Sequence, residues 1–345
     1  MSIRYIKNWE LNNFSDIIDV RSPSEFKEDH IPEANNFPVL SDLERKQIGI
    51  IYKQSSFKAK KLGAALISKN IGNHLKRNFL NKSGNWKPLI YCWRGGQRSK
   101  AFATVLSEIG WQVYVLKGGY KAYRSSIISK LKKACDNYKF VVLSGATGTA
   151  KTVILETMKK KGFNVLKLEN IANHKGSLLG KLPDIEQPNQ KYFETLLYSS
   201  VKNLKKNNFV FIEKESSKIG NLYLPSSILK LIRNSPLIHI DADIKSRINF
   251  LIKDYSRYLK KDDSFKDLFK HAVNKVGKRK VNEWNIFLKK KDWKNLAYCL
   301  LVDYYDPLYK HNHISKNLVR TYHAKNLEKK EISSLIKKIT SDFCK

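Results

Sequence analysis

The sequence has few cysteines, and they are not arranged as metal ligands or disulfide partners usually are. Four cysteines occur among 345 residues, at positions 92, 135, 299 and 344, and no two form a Cys-x-x-Cys pair. This scatter argues against a structural zinc site, which needs closely spaced ligand pairs. It also argues against the dense cross-linking of small secreted domains.

Long apolar runs are also missing. No stretch reaches the roughly 18–20 apolar residues that a membrane-spanning helix requires. Residues 1–9, MSIRYIKNW, contain no apolar core of the kind found in secretory signals. We therefore expect a cytoplasmic protein with no membrane association.

Acidic residues are scarce relative to basic ones. The chain has 31 Asp and Glu against 65 Lys and Arg, which gives a formal net charge of +34. Such an excess indicates a polyanionic partner, and RNA or DNA is the polyanion we expect. A general compositional bias toward Lys and Asn is the alternative, although it would not by itself reduce the acidic residues so far.

Short apolar segments alternate with helical patterns along most of the chain, which is typical of doubly wound parallel α/β sheets. We predict a first domain over residues 1–130 and a second over 138–345, helical and basic from about residue 244. The predicted strands cover residues 15–20, 88–91, 111–116, 140–143, 209–212 and 237–240, and the clearest predicted helices cover 98–109 and 151–160. Ligands of such sheets bind at the carboxyl ends of the strands.

One cysteine follows a predicted strand and begins a loop rich in glycine and arginine. Residues 89–99 read LIYCWRGGQRS, so five residues separate Cys92 from Arg98. Loop amides, the N-terminus of the following helix and two guanidinium groups favour a thiolate and can hold a tetrahedral anion beside it. We therefore predict chemistry at the Cys92 sulfur. An inert cysteine buried at a strand end is the alternative.

A second loop has the strand, loop and helix context of a P-loop. Residues 145–152 read GATGTAKT, with Ala150 where the pattern has glycine. Loop amides would hold phosphates, Lys151 would neutralise them, and the Thr152 hydroxyl could reach a Mg²⁺ ion. Because the extra Cβ crowds the loop, we expect a phosphorylated ligand but not necessarily ATP hydrolysis. The predicted phosphate-binding residues are Gly145, Thr147, Gly148, Lys151 and Thr152.

The N-terminal part resembles the rhodanese superfamily. Residues 18–26 read IDVRSPSEF and residues 30–34 read HIPEA, and Cys92 then corresponds to the sulfur-carrying cysteine. Two features differ from the family pattern. Glu33 stands where glycine is usual, and the loop after Cys92 is one residue longer than in most single-domain members. That longer loop is similar to phosphatases of the same fold, which usually have His where this chain has Tyr91.

A rhodanese-like segment followed by a P-loop resembles the bacterial tRNA 2-selenouridine synthase family. The resemblance extends over nearly the whole chain, and several long motifs in one order make it specific. Besides the two loops, the matching segments are 118–124 (GGYKAYR), 168–177 (LENIANHKGS), 187–194 (QPNQKYFE), 213–220 (EKESSKIG) and 304–307 (YYDP). It implies a rhodanese-like parallel sheet followed by a P-loop NTPase-like α/β domain.

The resemblance also implies an activity. Such an enzyme replaces the sulfur of wobble-position 2-thiouridine in tRNA with selenium from selenophosphate, after S-geranylation by geranyl diphosphate. This makes the chain a selenotransferase and a tRNA geranyltransferase, with Cys92 catalytic and the P-loop holding the diphosphate. The implied selenophosphate-binding residues are Trp93, Arg94, Gly95, Gly96, Gln97 and Arg98. No stretch of the sequence indicates which side chains hold the geranyl chain.

Polar residues in the family-like segments of the second domain form a further candidate site. They can position diphosphate or uridine, or they can form a structural network among themselves. Glu213 ends a predicted strand, where it could hold Mg²⁺ through water or be a solvent-exposed strand end. The candidate residues are Glu169, His174, Glu213, Glu215, Ser216 and Lys218.

Three groups of residues are candidates for RNA contact. Lys117, Lys121, Tyr123 and Arg124 could bind phosphates or stack on bases, or they could belong to an amphipathic helix. Basic runs at 278–280 and 289–291 flank Trp284 and precede Trp293, which suggests an RNA-facing surface, unless the tryptophans are core residues.

The sequence is also compatible with three other functions. An ATP-dependent tRNA sulfurtransferase would use a Cys92 persulfide and hydrolyse nucleotide. A non-catalytic RNA-binding protein, or a kinase-like regulator, with a relic rhodanese domain would leave the intact Cys92 and Lys151 unexplained. A phosphatase with the Cys-x5-Arg loop would leave the second domain unexplained.

Overall fold

The computed structural model describes residues 3–10, 14–177, 180–182, 185–206, 208–255, 263–310 and 317–343. The chain forms two compact units. The first comprises residues 1–132 together with 189–199, and the second comprises 133–188 and 200–345. Within the described ranges, no helix is both long and apolar enough to cross a membrane.

The first unit is an α/β structure with five short strands. The strands are β1 (Arg4–Ile6), β2 (Asp16–Asp19), β3 (Asn35–Asn36), β4 (Pro88–Tyr91) and β5 (Tyr114–Leu116). The helices are α1 (Pro23–Glu28), α2 (Asp42–Gln54), α3 (Ser56–His74) with a π-helical extension over Leu75–Phe79, α4 (Gln97–Glu108) and α5 (Gly119–Ala134).

The sheet of the first unit has the order β1-β5-β4-β2-β3, and every pairing is parallel. All four residues of β4 are buried, as expected for a central strand with helices on both faces. Cys92 directly follows β4 and therefore lies at the carboxyl edge of the sheet. The predicted strand over residues 88–91 and the helix over 98–109 are thus confirmed to within one residue.

The rhodanese-like entry segment forms a buried polar network. Asp19, Arg21 and Asp29 are fully buried. The Arg21 guanidinium lies 2.6 Å from Asp19 Oδ2 and donates to the Asp29 carbonyl at 2.6 Å. It also stacks on the Tyr120 ring, 3.9 Å from its centroid. A buried charge is tolerated only with such partners, so these residues position the chain around the cysteine loop.

Residues 189–199, which overlap the family-like segment 187–194, pack with the first unit. They begin helix α8 (Gln190–Lys202). Thr195 donates to Asp29 Oδ1 at 2.9 Å, and Arg124 binds the Glu194 carboxylate and the Lys191 carbonyl. Two residues that the sequence offered for RNA contact, Tyr123 and Arg124, are thus engaged inside this unit, since Tyr123 is 1% exposed. Lys117 and Lys121 are exposed.

The second unit contains a second parallel sheet. Its strands are β6 (Lys139–Gly145), β7 (Asn164–Leu166), β8 (Phe209–Glu213), β11 (Leu237–Ala242) and β12 (Leu318–Ala324), with a separate hairpin of β9 (Lys218–Ile219) and β10 (Leu222–Tyr223). The helices are α6 (Lys151–Lys160), α7 (Leu168–Ile171), α9 (Ser226–Asn234), α10 (Ile244–Tyr255), α11 (Asp263–Val276), α12 (Lys278–Lys289), α13 (Trp293–Cys299), a π-helical segment Leu300–Tyr305, α14 (Asp306–Lys310) and α15 (Lys329–Phe343).

The second sheet has the order β12-β11-β6-β8-β7, with parallel pairing throughout. The loop 145–152 follows the central strand β6, and Glu213 ends the neighbouring strand β8, where it pairs in register with Leu143. The expectation that the chain is helical after residue 244 needs one correction, because β12 adds an edge strand. The first four residues of β12 are all exposed, so the strand lacks the apolar alternation that would have revealed it in the sequence.

The helical region has its own apolar core. Trp284 is fully buried there, beside Phe269 and Tyr304, and Trp293 packs against the same cluster. Trp284 is therefore a core residue and cannot be part of an RNA-facing surface. The basic runs 278–280 and 289–291 are exposed.

Two positions that depart from the family patterns have left-handed backbone. Glu33 has φ of 67° and Ala150 has φ of 58°. A side chain is strained in this region, whereas glycine is not, which explains why glycine is usual at both positions. Ala150 is nevertheless buried within the core of the second unit, so its methyl group gains packing that offsets part of this strain.

Candidate functional site

The Cys92 sulfur lies in a short loop between β4 and α4. The residue is 3% exposed. The Gly96 amide donates to its Sγ at 3.3 Å, and the Ser99 hydroxyl lies 3.2 Å from the same atom. Ser99 also donates to the Gly96 carbonyl at 3.1 Å, which ties the loop to the first turn of α4. The sulfur therefore has polar hydrogen-bonding neighbours on the side where a helix N-terminus begins.

The turn at residues 118–119 supports this loop through close backbone contact. The Tyr120 amide donates to the Cys92 carbonyl at 2.8 Å, and the Lys121 amide donates to the Trp93 carbonyl at 3.0 Å. Gly119 has φ of 53°, and a Cβ there would lie 2.2 Å from the Cys92 carbonyl oxygen. Only glycine permits this approach, so the family-like segment 118–124 shapes the cysteine loop.

The two arginines of the loop have different surroundings. Arg98 donates to Glu25 Oε2 at 2.8 Å, whereas Arg94 is exposed, as is Gln97. Burial raises the pKa of the Glu25 carboxyl. The hydrogen bond and charge of Arg98, the Ser22 amide and the Arg45 charge together outweigh burial and hold that pKa below its ordinary value. Glu25 thus stays ionised and compensates Arg98, whereas the Arg94 side chain is exposed to solvent.

In the second loop, residues 145–152, the lysine side chain hydrogen-bonds to the backbone of the loop itself. Lys151 Nζ donates to the Gly145 carbonyl at 2.8 Å and to the Ala146 carbonyl at 3.2 Å. Burial lowers the Lys151 pKa, and the nearby carboxylates of Glu215, Glu169 and Glu213 oppose that shift. The ammonium group therefore lies inside the loop, against its backbone carbonyls.

Arg247 contacts the tip of residues 145–152, which we call the phosphate loop. Sequence patterns did not indicate Arg247 as a site residue. Its Nε donates to the Thr147 carbonyl at 2.8 Å. Its other two nitrogens bind the Asp306 carboxylate in a bidentate pair at 3.0 and 2.6 Å. Asp306 belongs to the family-like segment 304–307, so that segment positions the loop through one planar, charge-assisted contact.

Three carboxyl groups gather beside Lys151. Thr152 donates to Glu169 Oε2 at 2.9 Å, and the Glu169 amide donates to Glu213 Oε1 at 2.6 Å. Glu213 is 1% exposed, so the alternative of a solvent-exposed strand end is wrong. Burial, followed by the charge of Glu169, raises the Glu213 pKa well above its ordinary value and the Glu215 pKa to about 8. Burial also raises the Glu169 pKa.

This cluster should make folding stability depend on pH. The folded protein keeps the Glu215 proton up to about pH 8, whereas the unfolded chain loses it near the ordinary value of 4.5. Because the folded state binds more protons between these values, stability falls as pH rises through this window. We expect Glu215→Gln to weaken that dependence in urea unfolding at pH 6 and pH 8, with the exposed Glu283→Gln as control. Equal pH dependence in all three proteins would contradict this explanation.

Three family-like segments meet beside the carboxyl cluster. The Gly176 amide donates to His174 Nδ1 at 3.1 Å, and burial lowers the His174 pKa. Gln187 donates to the carbonyls of Ala172 and Ile219, each at 3.1 Å. Gly176 has φ of 69°, and a Cβ there would lie 2.5 Å from Glu169 Oε1. These segments therefore form one packed polar wall beside the phosphate loop.

A cleft of about 1250 Å³ contains most of the predicted residues of the second unit. Glu169, His174, Glu215 and Ser216 line it together with the phosphate loop. Ser216 is exposed and donates to the Lys218 carbonyl at 2.6 Å in a local turn. Lys218 does not line the cleft. It is exposed on the two-residue strand β9, with its ammonium 5.4 Å from the Tyr223 ring centroid.

The cleft also contains residues that sequence patterns did not indicate. Lys175 Nζ lies 2.7 Å from Asp254 Oδ2 and 4.6 Å from the Tyr255 ring centroid. Lys175 is part of the family-like segment 168–177, which could have drawn attention to it. Asp254 and Tyr255 come from α10, whose ordinary amphipathic sequence gave no such signal. Among the described residues, no group of three or more His, Cys, Asp or Glu side chains is arranged to hold a metal ion.

Comparison with known proteins extends over both units. The family described as tRNA 2-selenouridine synthase AAA domain matches residues 138–285, and the rhodanese-like domain family matches residues 6–126. The tRNA 2-selenouridine synthase of Sulfurovum sp. (strain NBC37-1) is 32% identical, covering 95% of this chain and 95% of that protein. The protein of the same name from Alcanivorax borkumensis is 31% identical over 86% of this chain and 89% of its own length.

A similar relationship holds for a third relative, the tRNA 2-selenouridine synthase of Psychromonas ingrahamii. It is 29% identical and covers 86% of this chain and 87% of its own length. Matches of this extent include both the cysteine loop and the phosphate loop. The chain therefore belongs to the tRNA 2-selenouridine synthase family.

Proposed function

We propose that this enzyme replaces the sulfur of wobble-position 2-thiouridine in tRNA with selenium from selenophosphate, through an S-geranylated intermediate. It would act as a tRNA geranyltransferase and a selenotransferase. The observation that carries the proposal is the presence of two separate strand-to-helix loops, residues 92–98 and 145–152, in a chain that belongs to this family. One loop has a cysteine at its base, and the other has a lysine. A tRNA substrate agrees with the cytoplasmic location expected from the sequence.

The first step would take place at the phosphate loop. The 2-thio sulfur attacks the first carbon of geranyl diphosphate, a carbon–sulfur bond forms, and the carbon–oxygen bond breaks with its electron pair leaving on diphosphate. Lys151 would neutralise the leaving group, and the amides of residues 145–149 would bind its oxygens. Arg247 would keep the loop in shape through its 2.8 Å contact with the Thr147 carbonyl.

A Mg²⁺ ion fits this step as a partner of the diphosphate. The protein offers the Thr152 hydroxyl and the Glu169 carboxylate, which lie 2.9 Å apart, with Glu213 behind them. Mg²⁺ commonly takes one or two protein oxygens and completes its coordination with phosphate and water. When bound, it would supply further neutralisation of the leaving charge. Its positive charge would also explain how three carboxyl groups are tolerated beside one ammonium.

The second step would take place at the cysteine loop. Selenophosphate is a tetrahedral anion, and we propose that Arg94 and the amides of residues 94–97 bind it beside Cys92. We propose that the Cys92 thiolate attacks phosphorus and that the phosphorus–selenium bond breaks with its electron pair on selenium. Water then hydrolyses the new phosphorus–sulfur bond, which releases phosphate and restores the thiolate. Selenium then bonds to C2 of the base, and geranylthiolate leaves. We propose that Arg98, held by Glu25, fixes the loop as well as adding positive potential.

The basic excess would serve to bind tRNA, with the exposed run 289–291 as one contact. We expect Lys289, Lys290 and Lys291 changed together to Gln to reduce the salt dependence of tRNA binding. If these lysines neutralise phosphates, the slope of log K against log salt falls by roughly 2–3, at about 0.7–0.9 for each lysine replaced. Fluorescence anisotropy of labelled tRNA, titrated at salt concentrations between about 50 and 200 mM, measures this slope.

A matched triple variant controls for net charge. Lys159, Lys160 and Lys161 are also consecutive, exposed and basic. Changing them to Gln removes the same charge from the end of α6. An equal reduction of the slope in both variants would mean that only total charge matters, and the proposed contact at 289–291 would be wrong.

The test of the function is mass spectrometry of nucleosides from 2-thiouridine tRNA treated with the enzyme, Mg²⁺ and geranyl diphosphate. We expect geranylthiouridine without selenophosphate and selenouridine with it. No product in either mixture would contradict the proposal. Activity with ATP and a persulfide donor in place of these substrates would instead identify a sulfurtransferase.

A further inference from the structure

An apolar cavity lies in the second unit beside the phosphate loop. Its volume is about 80 Å³. The walls come mainly from α10, α11, α13 and the π-helical segment. Among the described residues that line the cavity, the polar ones are Thr147, Ser177, Lys181, Tyr255 and Tyr305, and the other eight are apolar or aromatic. The hydrocarbon and aromatic side chains of its walls include Leu251, Ile252, Phe265, Trp293, Leu296 and Leu300.

The cavity is continuous with the phosphate cleft. Thr147, Ser177, Leu251, Tyr255 and Tyr305 line both spaces. Thr147 belongs to the phosphate loop itself, and its carbonyl is held by Arg247. A molecule bound by its phosphates at Lys151 would therefore have an apolar cavity directly beside its other end.

From this continuity we infer that the cavity binds the hydrocarbon chain of a prenyl diphosphate whose diphosphate occupies the phosphate loop. A nucleoside would need hydrogen-bond partners for its base and sugar, and burying those polar groups among leucines and aromatic rings would be unfavourable. A hydrocarbon chain has no such groups, and its binding is stabilised by the apolar area it buries. The inference depends on the proposed function only for the identity of the donor.

The size of the cavity favours a short chain. A single water needs roughly 10–15 Å³ of such space, so the cavity of about 80 Å³ has room for several groups of that size. Its surroundings are packed, since Leu296 is 2% and Leu301 0% exposed. We expect binding to improve from inorganic diphosphate to dimethylallyl and geranyl diphosphate, and to gain little for farnesyl diphosphate.

The experiment measures binding by calorimetry to the full chain, with inorganic diphosphate and geranyl diphosphate as the two probes. We expect the wild-type protein to bind geranyl diphosphate about 100-fold more tightly, because several CH₂ groups leave water. Ala297 lines the cavity with a small side chain. Ala297→Phe should fill the space and remove most of this preference, while inorganic diphosphate binds as before.

Tyr298→Trp is the matched control, because Tyr298 is on the same helix and 48% exposed. It adds volume outside the cavity and should leave both affinities unchanged. Equal wild-type affinity for the two probes would overturn the inference, and that measurement needs no variant. The inference would also be overturned if the Ala297→Phe protein is folded and still binds geranyl diphosphate more tightly than inorganic diphosphate by the wild-type factor.

Nucleoside analysis of the same proteins separates this inference from the proposed function. If the wild-type protein prefers geranyl diphosphate but leaves tRNA unmodified, the cavity assignment stands and the proposed function fails. If the wild-type protein geranylates tRNA and Ala297→Phe does so with unchanged KM for geranyl diphosphate, the function stands and the cavity assignment is wrong.

Discussion

Cys92→Ser should abolish selenation while leaving geranylation intact. The sulfur is at the base of the first loop, 3.3 Å from the Gly96 amide, and serine retains a similar size and hydrogen-bonding pattern. The fold should therefore persist, but the soft, nucleophilic sulfur is removed. Because removal of a residue that acts directly in a reaction usually has large effects, we expect selenouridine formation to fall about 10³-fold or more. Nucleoside mass spectrometry should then find geranylthiouridine accumulating in the presence of selenophosphate.

Cys299→Ser provides the comparison, since Cys299 is a partly buried free cysteine of the second unit. It should retain both activities. Full selenation by the Cys92→Ser enzyme would show that the cysteine has no chemical role and that only the loop is needed. Loss of both activities in a folded Cys92→Ser protein would contradict the assignment of the two steps to different loops.

Lys151→Ala should impair geranylation and leave selenation intact, which is the opposite of the effect expected for Cys92→Ser. The ammonium donates a hydrogen bond to the Gly145 carbonyl at 2.8 Å, within the space proposed for diphosphate. Removing one such electrostatic interaction from a developing negative charge commonly costs about 10²–10³-fold in rate. We therefore expect geranylation to fall by that factor. Selenation of tRNA that already carries geranylthiouridine should proceed at the wild-type rate.

The control for Lys151→Ala is Lys159→Ala, which removes the same charge from an exposed position on the same helix. It should leave both steps unchanged. If the Lys151→Ala enzyme also fails on pre-geranylated tRNA, then the phosphate loop takes part in selenation and the two steps are not separable. Undiminished geranylation would mean that the diphosphate binds elsewhere.

Together the two variants determine the order of the reaction. Cys92→Ser should accumulate the intermediate, and Lys151→Ala should use the intermediate without making it. This reciprocal pattern is specific to a two-step exchange, because a direct sulfur-for-selenium replacement would require neither geranyl diphosphate nor Lys151.

The departures at Glu33 and Ala150 show how backbone conformation explains a sequence pattern. Both residues have positive φ, so glycine is the usual residue for a conformational reason. From the sequence we expected only that the Cβ of Ala150 crowds the loop. The structure adds that its methyl group packs in the core, which allows the strained conformation to persist.

The sequence determined by itself the two loops, the parallel α/β character of both units and the family. These features are readable because each loop is contiguous and is built largely from backbone amides and glycines between a strand and a helix. Strand β4, helix α4 and helix α6 were predicted to within one residue, since their apolar runs and periodicity depend on local sequence. The Lys151 and Cys92 side chains then occupy fixed places at the ends of β6 and β4.

Only the tertiary structure decided which side chains meet across long sequence separations. Arg98 pairs with Glu25, Arg247 pairs with Asp306 and reaches Thr147, and Glu213 is buried beside Glu169. The packing of residues 189–199 with the first unit, the burial of Trp284 and the apolar cavity beside the phosphate loop are of the same kind. Each of these features depends on how separate elements pack together. The sequence around a charged or apolar residue does not identify the distant residue that it will contact.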